Sequence, residues 1–315
     1  MNSALDFVTF GEAMLMLVAD EPGPLEQVTR FEKRTAGAET NVAIGMARLG
    51  FKVAWASRLG TDSMGRYLLA TIQREGIDCS RVICDASQRT GLVLKGRVDD
   101  GSDPPVEYHR KGSAASHMTT ADLDPAWLCG ARHLHVTGIF PALSDGCLAL
   151  TQQAIQVMRD AGRSISFDPN LRPSLWPSAQ IMRDTLNQLA AGCDTVLPGV
   201  SEGLVLTGSD EPVRIARFYR ELGAKRVIVK LGEYGAYFDD CDAGCGTVPA
   251  VPVVKVVDTV GAGDGFAVGV VSALLEGHGV AAAAARGAWI GARAVQVIGD
   301  TEGLPSRAQL QQAGF

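Results

Sequence analysis

The stretch Asp258-Thr259-Val260-Gly261-Ala262-Gly263-Asp264-Gly265 constrains this chain more than any other. It follows the apolar run Val251 to Val257 and opens the helix-like run Phe266 to Glu276. Its three glycines let the backbone turn tightly and approach a ligand, while the first free N–H groups of the following helix point back into the turn. The result is an anion hole, and the partial positive charge of a helix N-terminus suits it to a phosphoryl group. Asp264 lies inside that hole, where a neutral residue would hold phosphate better. An acid there has a use as a general base, taking the proton from a hydroxyl whose oxygen attacks the bound phosphorus. Gly-x-Gly alone is an ordinary turn. Two acids bracketing the glycines at a strand-to-helix junction favour the chemical reading.

Two commoner glycine motifs do not fit. A dinucleotide fingerprint needs a third small residue where Phe266 stands, and a phosphate-binding P-loop needs Gly-Lys-Ser/Thr after its spacers, which no glycine here provides. The chain has 315 residues, 46% hydrophobic and 20% charged, with no Pro/Ser-rich linker or charge block, so one large domain over 1–315 with a small appendage is expected. A net charge of −6 without a basic stripe argues against nucleic acid or an anionic membrane and for a small-molecule substrate. Seven scattered cysteines, an odd number, read as a reducing compartment. Of these, Cys241 and Cys245 are close enough to suggest either a zinc pair or, without a nearby His, a turn between strands. Met1 to Phe10 lacks a basic n-region and no run of about 18 apolar residues occurs, so a cytoplasmic protein is expected.

The glycine loop, Asp-Thr-x-Gly-Ala-Gly-Asp, resembles the signature of the PfkB family of ribokinase-like sugar kinases, and further motifs from Gly11 to Gly303 extend the likeness over nearly the whole chain. The resemblance implies that Gly261, Ala262 and Gly263 form the anion hole and that Asp264 is the catalytic base. Gly37, Ala38, Glu39, Thr40 and Asn41 occupy the family's Gly-Gly-x-x-x-Asn substrate loop, with Ala36 replacing the first glycine. Asn41 has a second reading as N-cap of the helix Val42 to Gly50, and the two are compatible. Arg58 to Gly65 carries the family's first glycine-rich signature, with Asp62 and Gly65 in place.

Ala13 to Arg34, split by Glu21-Pro22-Gly23-Pro24, reads as a strand pair. Thr90 to Val98 and Val106 to Lys111 read as two further strands joined by the polar connection Asp99 to Pro105. Together, about 13–35 and 90–112 are expected to form a small β lid that brings Val93, Tyr108 and Arg110 to the substrate. The basic cluster His109-Arg110-Lys111 is otherwise a solvated strand edge. His133 and His135, on one face of a strand, are expected to be structural, since no third metal ligand is near in sequence.

Ser164 to Asp168 is an apolar strand followed by Pro169-Asn170-Leu171-Arg172-Pro173, and such carboxyl-terminal strand ends hold ligands in open α/β sheets. The family pattern Asp-x-Asn-x-Arg falls on Asp168, Asn170 and Arg172. Asp194 to Pro198 is expected as a strand leading to Glu202, which the resemblance ties indirectly to magnesium, with Gly199 replacing the family's Asn. Lys230, Gly232 and Gly235 resemble the nucleotide loop. The Ala-rich run Val280 to Val297, with Ala288, either packs closely or leaves a flat slot for adenine, and Asp300 lies in the closing loop toward the substrate. ATP contacts are thus expected from Asn170, Arg172, Lys230, Gly232, Gly235, Gly261, Ala262, Gly263 and Ala288.

Alternating strands and helices imply an α/β fold, a doubly wound, mostly parallel sheet flanked by helices, and the resemblance makes it ribokinase-like. Within the family, Gly11 to Leu15, Ala36 to Ala43, Tyr108 to Ala114 and Asn170 to Arg172 look most like the 2-keto-3-deoxygluconate kinases, which phosphorylate the 6-hydroxyl of a sugar acid with ATP. Arg110 and Arg172, planar donors suited to a carboxylate, agree with an acidic substrate. A kinase of a neutral sugar or nucleoside (ribose, fructose, aminoimidazole riboside) is the alternative. A silent sugar or nucleotide sensor conflicts with the retained Asp264. ATP and Mg2+ are the implied cofactors, with a monovalent cation such as K+ left open, and a homo-oligomer is expected.

Overall fold

The computed structural model describes residues 5–98 and 104–315. Apolar runs form the strands, and their period of two divides each strand between two cores. Val8 and Phe10 of β1 (Leu5–Phe10) enter one core, and Phe7 enters the other. β2 (Met14–Ala19) and β3 (Phe31–Ala36) follow, then helix α1 (Ala38–Arg48) and β4 (Val53–Gly60). α2 (Ser63–Arg74), β5 (Asp78–Asp85), β6 (Gly91–Lys95), β7 (Val106–His109), α3 (Pro125–Cys129), β8 (Ala131–Thr137) and α4 (Asp145–Asp160) come next. After β9 (Ser164–Asp168) run α5 (Ala179–Ala190), β10 (Thr195–Val196), α6 (Val200–Thr207), α7 (Pro212–Glu221), β11 (Arg226–Lys230), β12 (Ala236–Asp240) and β13 (Gly244–Val248). The chain closes with α8 (Ala262–Leu275), α9 (Val280–Ala294) and α10 (Arg307–Gln312).

Nine strands form one sheet in the order β13-β12-β11-β10-β9-β8-β1-β4-β5, parallel from β11 to β5, with β12 and β13 antiparallel at one edge. Its two faces carry the two cores. One packs beneath α4, α5 and α7, and the other beneath α1, α8 and α9. The fold is therefore ribokinase-like α/β, with helices on both faces. The second sheet, β3-β2-β6-β7, has its central β2–β6 pair parallel and both flanks antiparallel. Met14, Met16, Val18, Ala36 and Val93 form its own small core.

Several boundaries differ from the sequence reading. α1 starts at Ala38 instead of Val42, because Gly37, at φ 151°, takes the N-cap position. Asn41 is thus inside the helix and is no cap. α8 likewise begins at Ala262, so Asp264 lies in its first turn. Val251 to Val257 is no strand but an irregular segment, with Val254 98% exposed. The strand expected over Asp194 to Pro198 shortens to two residues. The connection Asp99 to Asp103 lies outside the described residues.

His133 and His135 are structural. Both rings are buried within 2.8 Å of Ser164 or Ser166 hydroxyls, and burial pushes both down to about 3, so they are neutral. Cys241 and Cys245 flank the β12–β13 turn, and all seven cysteines are free. Among the described residues, no helix is long and apolar enough to cross a membrane.

Candidate active site

The carboxyl ends of β1, β9 and β11 open onto the N-terminus of α8. Gly261 starts that helix at φ 82°, a left-handed conformation that favours glycine. It also lies against the 300 loop, since a Cβ on Gly261 would come 2.5 Å from the Asp300 carbonyl oxygen. The free N–H groups of the first turn of α8 face this end of the sheet. Asp264 is held there by Asn41, whose Nδ2 donates to Oδ2 at 2.7 Å, and more loosely by Asn170 Nδ2, 3.5 Å from Oδ1. Asn170 reaches that position with φ 38°, a conformation Asn tolerates better than most residues. Burial is the main force raising the Asp264 carboxyl to about 7. The Asn41 bond opposes it, and the nearby Asp168, Asp300 and Glu39 charges add to it. A buried carboxyl titrating near neutrality, next to an anion hole, is suited to accept a proton.

A cavity of about 600 Å³ lies in front of Asp264. Of the residues expected at the substrate, Gly37, Ala38, Glu39, Asn41, Tyr108, Arg110, Arg172, Asp264 and Asp300 line it, together with Asn170, Lys230 and Glu202. Thr40 and Val93 do not. The Thr40 hydroxyl bonds back to the Gly37 carbonyl at 2.9 Å, and Val93 is buried in the core of the small sheet. Glu39 accepts from the Thr137 hydroxyl at 2.6 Å and fits only because residue 11 is glycine, where a Cβ would fall 2.4 Å from its carboxyl carbon. Burial lifts Glu39 to about 7 and Asp300 to about 6. Three buried oxygens in this wall, Glu12 Oε1, Asn41 Oδ1 and Asp300 Oδ1, have no protein partner, an arrangement that a ligand with several hydroxyls would complete.

Arg110, expected at the substrate, lines the cavity, and the alternative of a solvated strand edge does not apply. It is buried, and its Nε donates to Glu12 Oε2 at 2.7 Å. Lys230, expected at the nucleotide, is largely covered and lies 2.9 and 2.8 Å from the two oxygens of Asp168, with Glu202 at 3.8 Å. Burial would lower its pKa, but Asp168 and Glu202 raise it overall. Arg172 has no carboxylate partner among the described residues, and its guanidinium bonds the Leu171 carbonyl at 2.8 Å. Glu202 accepts from the Leu171 and Gly199 N–H groups at 3.0 and 2.7 Å, so the glycine at 199 still caps its helix through the glutamate.

A second cavity, of about 760 Å³, meets the first at Lys230, Thr259 and Gly263. Gly232, Gly235, Ala262 and Ala288 line it as expected. Val251, Pro252, Val253 and Val256, which the sequence suggested as a strand, make its apolar wall. Glu12, Asp168 and this valine wall were missed as site residues. Asp168 and Glu12 both stood inside recognised stretches, but neither stretch marked them as contacts.

The sequence matches the model of the pfkB family carbohydrate kinases over residues 4–307. The chain belongs to that family. It is 50% identical over 307 residues to the 2-dehydro-3-deoxygluconokinase of Bacillus subtilis (strain 168), covering 97% of this chain and 94% of that one. A crystal structure of a PfkB protein from Polaromonas sp. JS666 superposes with a TM-score of 0.91 at 64% identity, covering 98% of this chain and 99% of the other. A putative Ribokinase II from E. coli in complex with ATP and Mg2+ gives 0.89 at 25% identity, with 98% of each chain covered. As a pfkB-family kinase, the chain is an ATP-using phosphotransferase, and its two joined cavities meet at the anion loop.

Proposed function

We propose that this kinase transfers the γ-phosphoryl group of ATP to the 6-hydroxyl of a sugar acid, 2-keto-3-deoxy-D-gluconate. The observation that carries the reading is the polar cavity in front of Asp264, lined by three residues with unpartnered buried oxygens and by Arg172, whose guanidinium has no carboxylate partner among the described residues. Buried oxygens of this kind suit a polyol, and a free guanidinium suits a carboxylate. The Bacillus subtilis relative, 50% identical, carries the same activity in its name.

In this reading Asp264 accepts the proton of the 6-hydroxyl while the N–H groups of Gly261, Ala262 and Gly263 hold the phosphoryl oxygens. Asn41 fixes the base. Asp300 and Glu39 accept from other hydroxyls, and the adenine lies between the valine wall and Ala288. Lys230 bridges the two cavities and offsets phosphate charge. Asp168 and Glu202 are oxygen donors of the kind Mg2+ takes, and they would hold it through its waters; when bound, it supplies charge neutralisation on the phosphates. The small sheet serves as a lid that excludes water during transfer. The partly exposed Leu17, Leu92 and Leu94, on the face opposite its small core, are a candidate face for a second copy, and free cysteines suit the cytoplasm.

A coupled ADP-release assay over a sugar panel tests the substrate. Preference for keto-deoxygluconate over fructose, ribose and aminoimidazole riboside is expected, and preference for a neutral sugar refutes the acid reading.

A further inference from the structure

Asp258 opens the anion loop yet lines neither cavity. Its carboxylate is buried and fully engaged: Oδ1 accepts from the Val260 N–H at 3.1 Å, and Oδ2 from the Gly299 N–H at 3.2 Å and from Lys95 Nζ at 2.5 Å. Lys95 is the last residue of β6 in the small sheet, and both side chains of the pair are 3% exposed. Replacing such a buried pair by apolar residues is often neutral or stabilising, so its position needs a reason other than stability. Its neighbours supply one. Val260 leads directly into Gly261. Gly299 precedes Asp300, which carries an unpartnered oxygen into the sugar cavity and whose carbonyl packs on Gly261. A second strand of the same sheet makes a parallel contact: Arg34 of β3 donates to the Ile298 carbonyl and lies 3.5 Å from Glu302. Two cations of the small sheet therefore hold the two loops that form the reacting end.

We propose that Lys95 is a positioning residue for phosphoryl transfer. Through Asp258 it ties the small sheet to the anion loop and the 299–300 turn, so the hole and Asp300 take their working positions only when that sheet is seated over the acceptor. The ammonium touches neither substrate. It acts by fixing where the N–H groups and the Asp300 carboxylate lie. The inference rests on the kinase activity and not on which sugar is phosphorylated.

Steady-state kinetics of Lys95→Met and Lys95→Ala, with ATP affinity measured by titration, test it. Turnover is expected to fall about 100-fold, the scale of an ångström-sized misplacement at a reacting centre. ATP affinity should stay within about threefold, because the adenine wall lies outside the contact. Methylammonium should restore turnover of Lys95→Ala saturably and leave Lys95→Met, whose side chain fills the space, unchanged. A folded Lys95→Met that turns over within about threefold of the parent overturns the proposal. Should the single variants unfold, Lys95→Met/Asp258→Asn removes both charges and leaves no buried ion unpaired. Low turnover in that folded double variant supports positioning, and parent-like turnover overturns it by showing that the pair need only be neutral.

Discussion

The cavity in front of Asp264, which we assign to the sugar, is walled by charged and amide side chains that hold one another, Asn41 on Asp264, Arg110 on Glu12 and Lys230 on Asp168, whereas the cavity we assign to the nucleotide is lined mostly by glycine, alanine, valine and proline. Charged groups in a low-dielectric wall give directional recognition but are costly to leave unpaired, so each position matters to its neighbours. Small apolar residues recognise a flat ring through shape alone, and each contributes only the contact it makes. Single substitutions should therefore have large and specific effects on the sugar side and graded effects on the nucleotide side.

Asp264→Asn should have the largest effect. Turnover is expected to drop by about two to four orders of magnitude, the usual worth of a general base, with both substrates still bound. Because burial holds this carboxyl at about 7, it is protonated below that pH and cannot accept a proton. The kcat/KM of the parent should therefore fall as pH drops below about 7. The variant should lose that limb, which pH–rate profiles of both proteins check. Turnover of the variant within about threefold of the parent, at saturating ATP and sugar, removes Asp264 from the role.

Next come the two arginines, whose different partners separate their roles. Arg172→Ala should weaken sugar-acid binding by about 1.5–3 kcal/mol and leave a neutral deoxy-sugar analogue little affected, the loss expected for a hydrogen bond to a charged group. Arg110→Ala should weaken both compounds, because it leaves the buried Glu12 carboxylate without its partner. Titrating acid and neutral analogue against each variant decides between them. If only Arg110→Ala discriminates the acid, the assignment of the carboxylate to Arg172 is wrong.

On the nucleotide side, Ala288→Leu should raise the KM for ATP by about tenfold, in the range for a few methylenes that must be accommodated in an apolar slot, with the sugar KM unchanged. A parallel rise in the sugar KM would mean that the two cavities are coupled and the comparison fails.

The smallest effect concerns stability. Asp264, Glu39 and Asp300 titrate at about 7, 7 and 6 in the fold, above the ordinary carboxyl range that they recover on unfolding. Between roughly pH 4 and 7 the folded state thus binds more protons than the unfolded one, and stability falls as pH rises through that window. Asp264→Asn removes one of the three and should raise the Tm at pH 8 by at least about 2 °C, as calorimetry would show. A lowered Tm would mean that the Asn41 contact outweighs the cost of the buried charge.

The sequence alone determined the glycine loop and the acid inside it, the alternation of strands and helices, and most residues of both cavities, because those depend on local chemistry: glycine for the turn, period-two apolar runs for the sheet, an acid in a turn that suits phosphate. It misplaced the starts of α1 and α8, since Gly37 and Gly261 reach the N-cap through backbone conformations that look like loop in a string of residues. Only the tertiary structure decided the pairings. Asn41 and Asp264 are 223 positions apart, Lys95 and Asp258 163, and Glu12 and Arg110 98. A charge on one strand carries no mark of its partner on another, so which cation is free for a substrate is settled only when the chain has brought its acids and bases together.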